Sequence, residues 1–194
     1  GQVIITPDNG TLTHTLRLVG IESVREIDES VNRLPHTGEA YTFHGRDIYA
    51  YTGARLAAGK IDCGGIGPEV PVDSLVCLPI VDPELTDGQI TGTIDVLDVR
   101  FGSIWTNIPH SMLKEMGVKY GDRVQITIRN DTRNLYRNTM TFARSFAEVF
   151  VGEPLAYINS LDYVAVAINQ GSFARAYNIG TGNSWHITIG PSPY

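Results

Sequence analysis

The sequence predicts an α/β chain, with part of an α/β unit in front and a β-rich second half built as a small barrel or sandwich. Three observations predict it. An apolar run with helical spacing, from Ile48 to Ala58, lies among extended segments in the first third. Pro68, Pro71, Pro79 and Pro83 then forbid a regular helix and favour an extended connection. From Gly88 onward, short β-rich runs alternate with glycine and asparagine turns.

Taken in order, Gly1 to Ile5 read as a strand already under way, so the chain is expected to begin inside a domain. Val3–Thr6 is the expected strand, and Pro7-Asp8-Asn9-Gly10 is a sharp turn. A second strand is expected near Leu16–Val19, and weak helical patterning near Val24–Arg33. The helix from Ile48 carries Tyr51, Leu56 and Ala57 on one stripe, with Gly59 as its stop. Gly64 to Pro68 breaks the chain. Residues 1–66 are therefore assigned to the α/β unit, 67–87 to a linker and 88–194 to the β domain. There the expected strands are Gln89–Asp98, Ser103–Asn107, Arg123–Arg129, Thr139–Ala143, Tyr163–Ile168 and His186–Ile189. One short helix, Met112–Met116, should end at Gly117.

Bulk properties exclude several classes. The chain has 194 residues, 42% apolar and 19% charged, with a net charge of −6. No basic cluster stands out, which argues against nucleic acid as a partner. No apolar run spans a bilayer, and no secretory leader is visible. Cys63 and Cys77 lack metal-ligand spacing and read as reduced thiols of a cytoplasmic protein. His14, His36, His44, His110 and His186 are scattered, so no metal site is expected. Dinucleotide fingerprints, phosphate loops and the Gly-x-Ser-x-Gly elbow are missing.

Four stretches could carry chemistry. In Thr42-Phe43-His44-Gly45-Arg46-Asp47, His44 and Gly45 fall where a helix begins. The positive end of the helix dipole disfavours a further positive charge there, and a neutral imidazole can take a proton from water. Gly45 would let a ligand approach the backbone. A capped helix with a histidine satisfied in a turn explains the same residues. In the stretch Asp98 to Asn107, Asp98 offers a carboxylate, Phe101 and Trp105 aromatic faces, and Ser103 a hydroxyl. An ordinary hairpin with aromatic core residues is the competing explanation. Asn159-Ser160-Leu161-Asp162 and Asn169-Gln170-Gly171-Ser172 flank one strand as polar loops, where barrels place ligands; turn chemistry explains them as well.

In sequence order, Pro7 to Thr13, Thr42 to Asp47, Phe101 to Ile108 and Tyr157 to Ser160 together resemble the S-adenosyl-L-methionine (SAM) hydroxide adenosyltransferases. These are SAM hydrolases related to the fluorinase and chlorinase enzymes. The resemblance runs over nearly the whole chain. It implies an N-terminal α/β (Rossmann-like) domain, here incomplete, followed by a small C-terminal β-barrel. It also implies a homotrimer with active sites between subunits, and hydrolysis of SAM to adenosine and methionine by activated water. No cofactor or metal is implied, because the sulfonium is already a good leaving group.

By the same resemblance, His44 is the catalytic group and Gly45 lies at the nucleophile. Histidine and glycine here resemble the hydrolases; the fluorinase has tyrosine and serine. Asp98 resembles the carboxylate that holds the methionine ammonium. Phe101 and Trp105 resemble the aromatic wall around adenosine. Ser103 stands where relatives have an asparagine on the adenine edge. Ser160 resembles the group that meets the methionine carboxylate, and Asn169 and Gln170 the loop whose backbone contacts adenine. Leu161 and Ile168 stand where halogenating relatives have arginines. The family's catalytic aspartate and arginine belong upstream of Pro7, as does an early aspartate for the ribose. Cleavage, a companion N-terminal fragment or a truncated chain would each account for this, and the 194 residues alone are expected to be inactive. The other readings are a SAM- or adenosine-binding protein without catalysis, and a halide-dependent SAM halogenase.

Overall fold

The computed structural model describes residues 1–192. The chain is mixed α/β and divides into two compact units, Gly1–Leu78 and Pro79–Tyr194.

The regular structure of the first unit is mainly short helices. Asn9 Oδ1 accepts the Thr11 backbone N–H at 3.2 Å, and the turn runs straight into α1 (Thr13–Val19). A two-residue strand, β1 (Val24–Arg25), follows, and then α2 (Glu29–Asn32), whose N-terminus is capped by the Asp28 side chain. A wide π-type turn, Gly45–Ala50, leads into α3 (Tyr51–Ala57). The chain then leaves through Gly59 at φ 64°, a left-handed conformation that glycine adopts without cost. The strand β2 (Glu69–Val70) pairs antiparallel with β1.

Buried Asn32 ties these pieces together. Its amide donates to Gly65 O at 3.0 Å and Ile66 O at 2.9 Å, and its Oδ1 accepts from Arg55 of α3 at 2.7 Å. Buried Thr52 donates to the Asn32 carbonyl at 3.1 Å. Two helices and the Gly64–Ile66 turn thus share one polar centre in which these buried groups are paired.

The second unit is a closed seven-stranded barrel. In chain order its elements are β3 (Glu84–Thr86), β4 (Gln89–Asp98), β5 (Ser103–Pro109), α4 (His110–Glu115), β6 (Arg123–Asn130), β7 (Asn134–Phe142), β8 (Pro154–Ile158), β9 (Tyr163–Ile168), α5 (Phe173–Ala176) and β10 (Gly182–Pro191). Around the ring the order is β4, β5, β9, β8, β7, β6, β10 and back to β4, with β3 outside on β4. All neighbours are antiparallel except β7 and β8. Alternation fills the interior: Ile90 and Ile94, Ile104 and Ile108, Ile126 and Ile128, Val164 and Val166, and Ile187 and Ile189 are buried there. Phe173 of α5 enters the same core against Tyr136, ring to ring at 5.0 Å. A smaller cluster, Ala143, Leu155 and Ala167, packs on the outside under Phe146, Val149 and Tyr157.

Several expectations for the first unit are corrected. Val3–Thr6 is not a strand: among the described residues no extended segment of the unit runs beside it, and a strand exists only through its partner. Leu16–Val19 is helical. Leu12, Thr15 and Leu16 are half-buried at spacings of three and four, one side of a helix, and Leu18 is 77% exposed. Val24–Arg33 is split into strand and helix by the Asp28 cap. In the barrel, the strand expected from Thr139 begins at Asn134, and β8 was missed. Pro154 and Tyr157-Ile158 blur its pattern, and its pairing cannot be read from the local run. The expected Gln89–Asp98 and Tyr163–Ile168 strands are observed with those bounds.

Candidate functional site

His44 opens the helical segment that continues as α3. Its imidazole is half-buried and does not cap the helix. Gly45 has ordinary helical surroundings, and a Cβ added there would meet no atom within 4 Å. Neither packing nor backbone geometry therefore accounts for glycine, which weakens a helix interior by about 1 kcal/mol relative to alanine. Arg46 forms a two-pronged pair with buried Asp47, Nε to Oδ1 at 2.5 Å and Nη2 to Oδ2 at 2.9 Å, and its guanidinium lies 4.8 Å from the Phe43 ring centre. The Arg46 hydrogen bonds, with smaller help from the Arg33 and His44 charges, hold the Asp47 carboxyl below the usual carboxylate range. The wide turn is what carries Asp47 and Ile48 inward while leaving His44 and Gly45 outward.

In the barrel unit, β4 and β5 form a hairpin closed by Val99 to Gly102. Gly102 N donates to Asp98 O at 2.7 Å, and Arg100 N to the Asp98 carboxylate at 3.1 Å. Phe101, at the turn, is 67% exposed. Ile104 and Ile108 point into the barrel, so Ser103 and Trp105 point outward on the opposite face of β5. The register sets Asp98 beside Ser103, and Val96 and Ala165 on either side of Trp105. Ser103 Oγ and Trp105 Nε1 are buried, and among the described residues neither has a hydrogen-bond partner. A buried polar atom left unpaired costs about 1–3 kcal/mol, so two on one face are unusual for a purely structural surface.

Asn169 and Gln170 follow β9, which is antiparallel to β5, and so reach the same end as Asp98, Phe101 and Ser103. Gly102 abuts Ser172, and Ala174 N donates to Gly102 O at 3.0 Å, which closes the two loops on each other. The Asn169 side chain is used structurally, donating to Val149 O at 2.9 Å. Gln170 is exposed, with φ 58°.

Ser160 lies elsewhere. It is exposed at the tip of the β8–β9 turn, where Asn159 Oδ1 accepts the N–H groups of Leu161 at 2.9 Å and Tyr163 at 3.1 Å. Tyr163 pairs with Pro109, at the far end of β5 from Ser103. At about 3.3 Å per residue, the length of β9 sets Ser160 roughly 20 Å from Asn169. The structure thus gathers Asp98, Phe101, Ser103, Asn169 and Gln170 at one end, runs Trp105 along the outer face, and places Ser160 at the other end.

Two residues near Ser160, Asp162 of the same polar turn and His110, are given no role by the resemblance but are positioned by the fold. Asp162, in the same turn, has φ 64°, and His110 donates its backbone N–H to Asp162 O at 2.9 Å. Their pairing is long-range, so no local pattern shows it. Among the described residues, no three His, Cys, Asp or Glu side chains gather as a metal cluster, and no helix is long and apolar enough to cross a membrane.

Comparison with known proteins adds to this geometry. The family model for the SAM hydroxide adenosyltransferase N-terminal domain matches residues 1–67, and that for the C-terminal domain residues 92–186. A fluorinase of Nocardia brasiliensis is 32% identical over 189 residues, covering 97% of this chain and 61% of the relative. An (R)-S-adenosyl-L-methionine hydrolase of Salinispora tropica is 33% identical over 192 residues, covering 97% and 66%. That of Thermus thermophilus is 36% identical over 148 residues, covering 75% and 48%. The crystal structure of an uncharacterized conserved protein from Thermotoga maritima matches with TM-score 0.73 and 27% identity, covering 95% of this chain and 65% of that one. The chain spans about three fifths of the length of the fluorinases it matches, 60% to 61%.

Proposed function

Because the chain belongs to the SAM hydroxide adenosyltransferase family, whose members are enzymes acting on SAM, we propose that it serves the hydrolysis of SAM to adenosine and L-methionine. The observation that carries this reading is His44 beside Gly45: an imidazole not spent on capping its helix, next to a glycine that packing does not require. Water attacks the ribose 5′ carbon opposite the sulfur. The new C–O bond forms as the C–S bonding pair leaves with methionine, so the sulfonium becomes a neutral thioether. His44 takes the proton released by the water and carries the positive charge away. Gly45 leaves room for the nucleophile against the backbone. A halide needs no base, which is why a histidine here favours water.

On the barrel, adenosine lies against Phe101 and Trp105, with Ser103 and the Asn169-Gln170 backbone at the adenine, and Ser160 at the methionine carboxylate. The two unpaired polar atoms at Ser103 and Trp105 support that placement. The protein acts as a homotrimer without cofactor or metal, and its two exposed, unpaired cysteines fit the reducing cytoplasm.

The second reading, halogenation, is favoured by the fluorinase relatives, which are as similar as the hydrolases. Product analysis separates the readings. The purified protein is incubated with SAM, with and without chloride or fluoride, and its products are resolved by chromatography and mass spectrometry. Adenosine and methionine, unaffected by halide, are expected. A 5′-halogenated adenosine would establish the halogenase, and bound adenosine without product a binding protein.

A further inference from the structure

The β8–β9 loop contains a residue that its backbone does not call for. Asn159 N donates to Tyr163 O at 2.9 Å, so Ser160, Leu161 and Asp162 form a three-residue hairpin loop. Such a loop sets its third residue in the left-handed conformation, where glycine is least strained. Here that residue is Asp162, at φ 64°. Its carboxylate reaches a distant element: His110 Nδ1 lies 3.3 Å from Asp162 Oδ1, a hydrogen bond when Nδ1 carries the proton. The main chain repeats the contact, His110 N donating to Asp162 O at 2.9 Å. His110 is a firm anchor. It follows β5 and opens α4, and its side chain is 14% exposed. Its ring centre lies 6.0 Å from that of Tyr120 and 6.2 Å from that of Phe142, and those two rings stack at 4.6 Å.

We propose that His110 is a positioning residue for substrate binding: through Asp162 it fixes the β8–β9 loop, and with it Ser160, in the conformation that receives the substrate. The proposal rests on the reading of the protein as one that acts on SAM, with Ser160 at the methionine carboxylate. Neither His110 nor Asp162 touches SAM in this role. The loop is held from two sides. Asn159 Oδ1 holds the N–H groups of Leu161 and Tyr163 from the end of β8, and His110 holds Asp162 from the end of β5. A loop ordered before binding spares the ligand the cost of ordering it. Hairpin geometry alone would be served better by glycine, so the aspartate is explained by what its carboxylate reaches.

The test separates loop stability from loop position. The wild type, Asp162→Gly, His110→Leu and His110→Asn are compared by thermal melting and by calorimetric binding of SAM and adenosine. Asp162→Gly relieves the left-handed strain while releasing the loop from His110. Its melting temperature should stay within about 2 °C of the wild type. Its SAM affinity should nevertheless fall by about two- to tenfold, the cost of ordering the freed loop, while adenosine binding is unchanged. His110→Leu should show the same selective loss. His110→Asn, whose side-chain amide N–H stands in for Nδ1–H, should restore SAM affinity. The proposal is overturned if Asp162→Gly binds SAM like the wild type, if it loses SAM and adenosine together, or if His110→Asn is no better than His110→Leu. A wild type that binds neither ligand would overturn the SAM reading, and this role for His110 with it.

Discussion

Replacing Gly102 by alanine tests whether the two loops at the nucleoside end hold each other. Gly102 has φ 68°, where an L-residue pays a penalty of about 1 kcal/mol. A Cβ there would also overlap the side chain of Ser172 and lie 2.5 Å from its Cα, so a rotamer change cannot relieve the clash. Overpacking of this kind adds about 1–3 kcal/mol, for a total of roughly 2–4 kcal/mol. At about 3 °C per kcal/mol for a chain of this size, the melting temperature should fall by roughly 6–12 °C. Adenosine affinity should fall with it, because the backbone shift is passed to Ser103 on one side and to Asn169 and Gln170 on the other. Adding Ser172→Gly removes the side-chain part of the overlap but neither the clash with the main chain at position 172 nor the cost of the left-handed conformation. The double variant should therefore recover about 1 kcal/mol, less the few tenths lost when the Ser172 hydroxyl no longer accepts from Arg175 N. Calorimetric melting of the four proteins decides it. A fall of less than about 2 °C in Gly102→Ala, or strict additivity in the double variant, would refute the close approach.

Other consequences are more local. Ser103→Ala removes a buried hydroxyl without a partner, so it should leave the melting temperature unchanged or raise it while weakening adenosine; a loss of stability would show that the hydroxyl is a structural bond. Asn32→Ala leaves two carbonyls and Arg55 short of partners and should cost about 2–4 kcal/mol in urea unfolding, with adenosine binding by the barrel unit the control. Burial, with a smaller contribution from Tyr177, pushes the Tyr136 phenol up to about 12, so in ultraviolet titration of the native protein its phenolate should form after the exposed tyrosines ionise; Tyr136→Phe should remove that late step. Asp47 has a folded-state pKa below its unfolded value, so its contribution to stability is complete above the ordinary carboxylate range and is lost as pH falls through the lower, folded value. Acid unfolding should therefore show a component that Asp47→Asn abolishes.

The barrel was legible because its strands are half-buried. Inward Val124, Ile126 and Ile128 alternate with more exposed polar residues along β6, and that period is local information. The first unit was less legible, because its order comes from groups far apart in sequence. Asn32 looks like any polar residue in a weak helix, and its importance lies in carbonyls at Gly65 and Ile66 and an arginine on α3. The short apolar run near Leu16 misled for the same reason: with six or seven residues, a helix and a strand share too many apolar positions to be told apart without knowing what covers them.

The candidate site divides along the same line. Residue types and their order pointed to Asp98, Phe101, Ser103, Trp105 and Ser160, but not to which of them are neighbours. That depends on register: β9 runs against β5, so Asn169 arrives beside Ser103 while Ser160 is carried to the far end. A motif records which side chains a reaction needs, and strand pairing decides which of them one substrate can touch together.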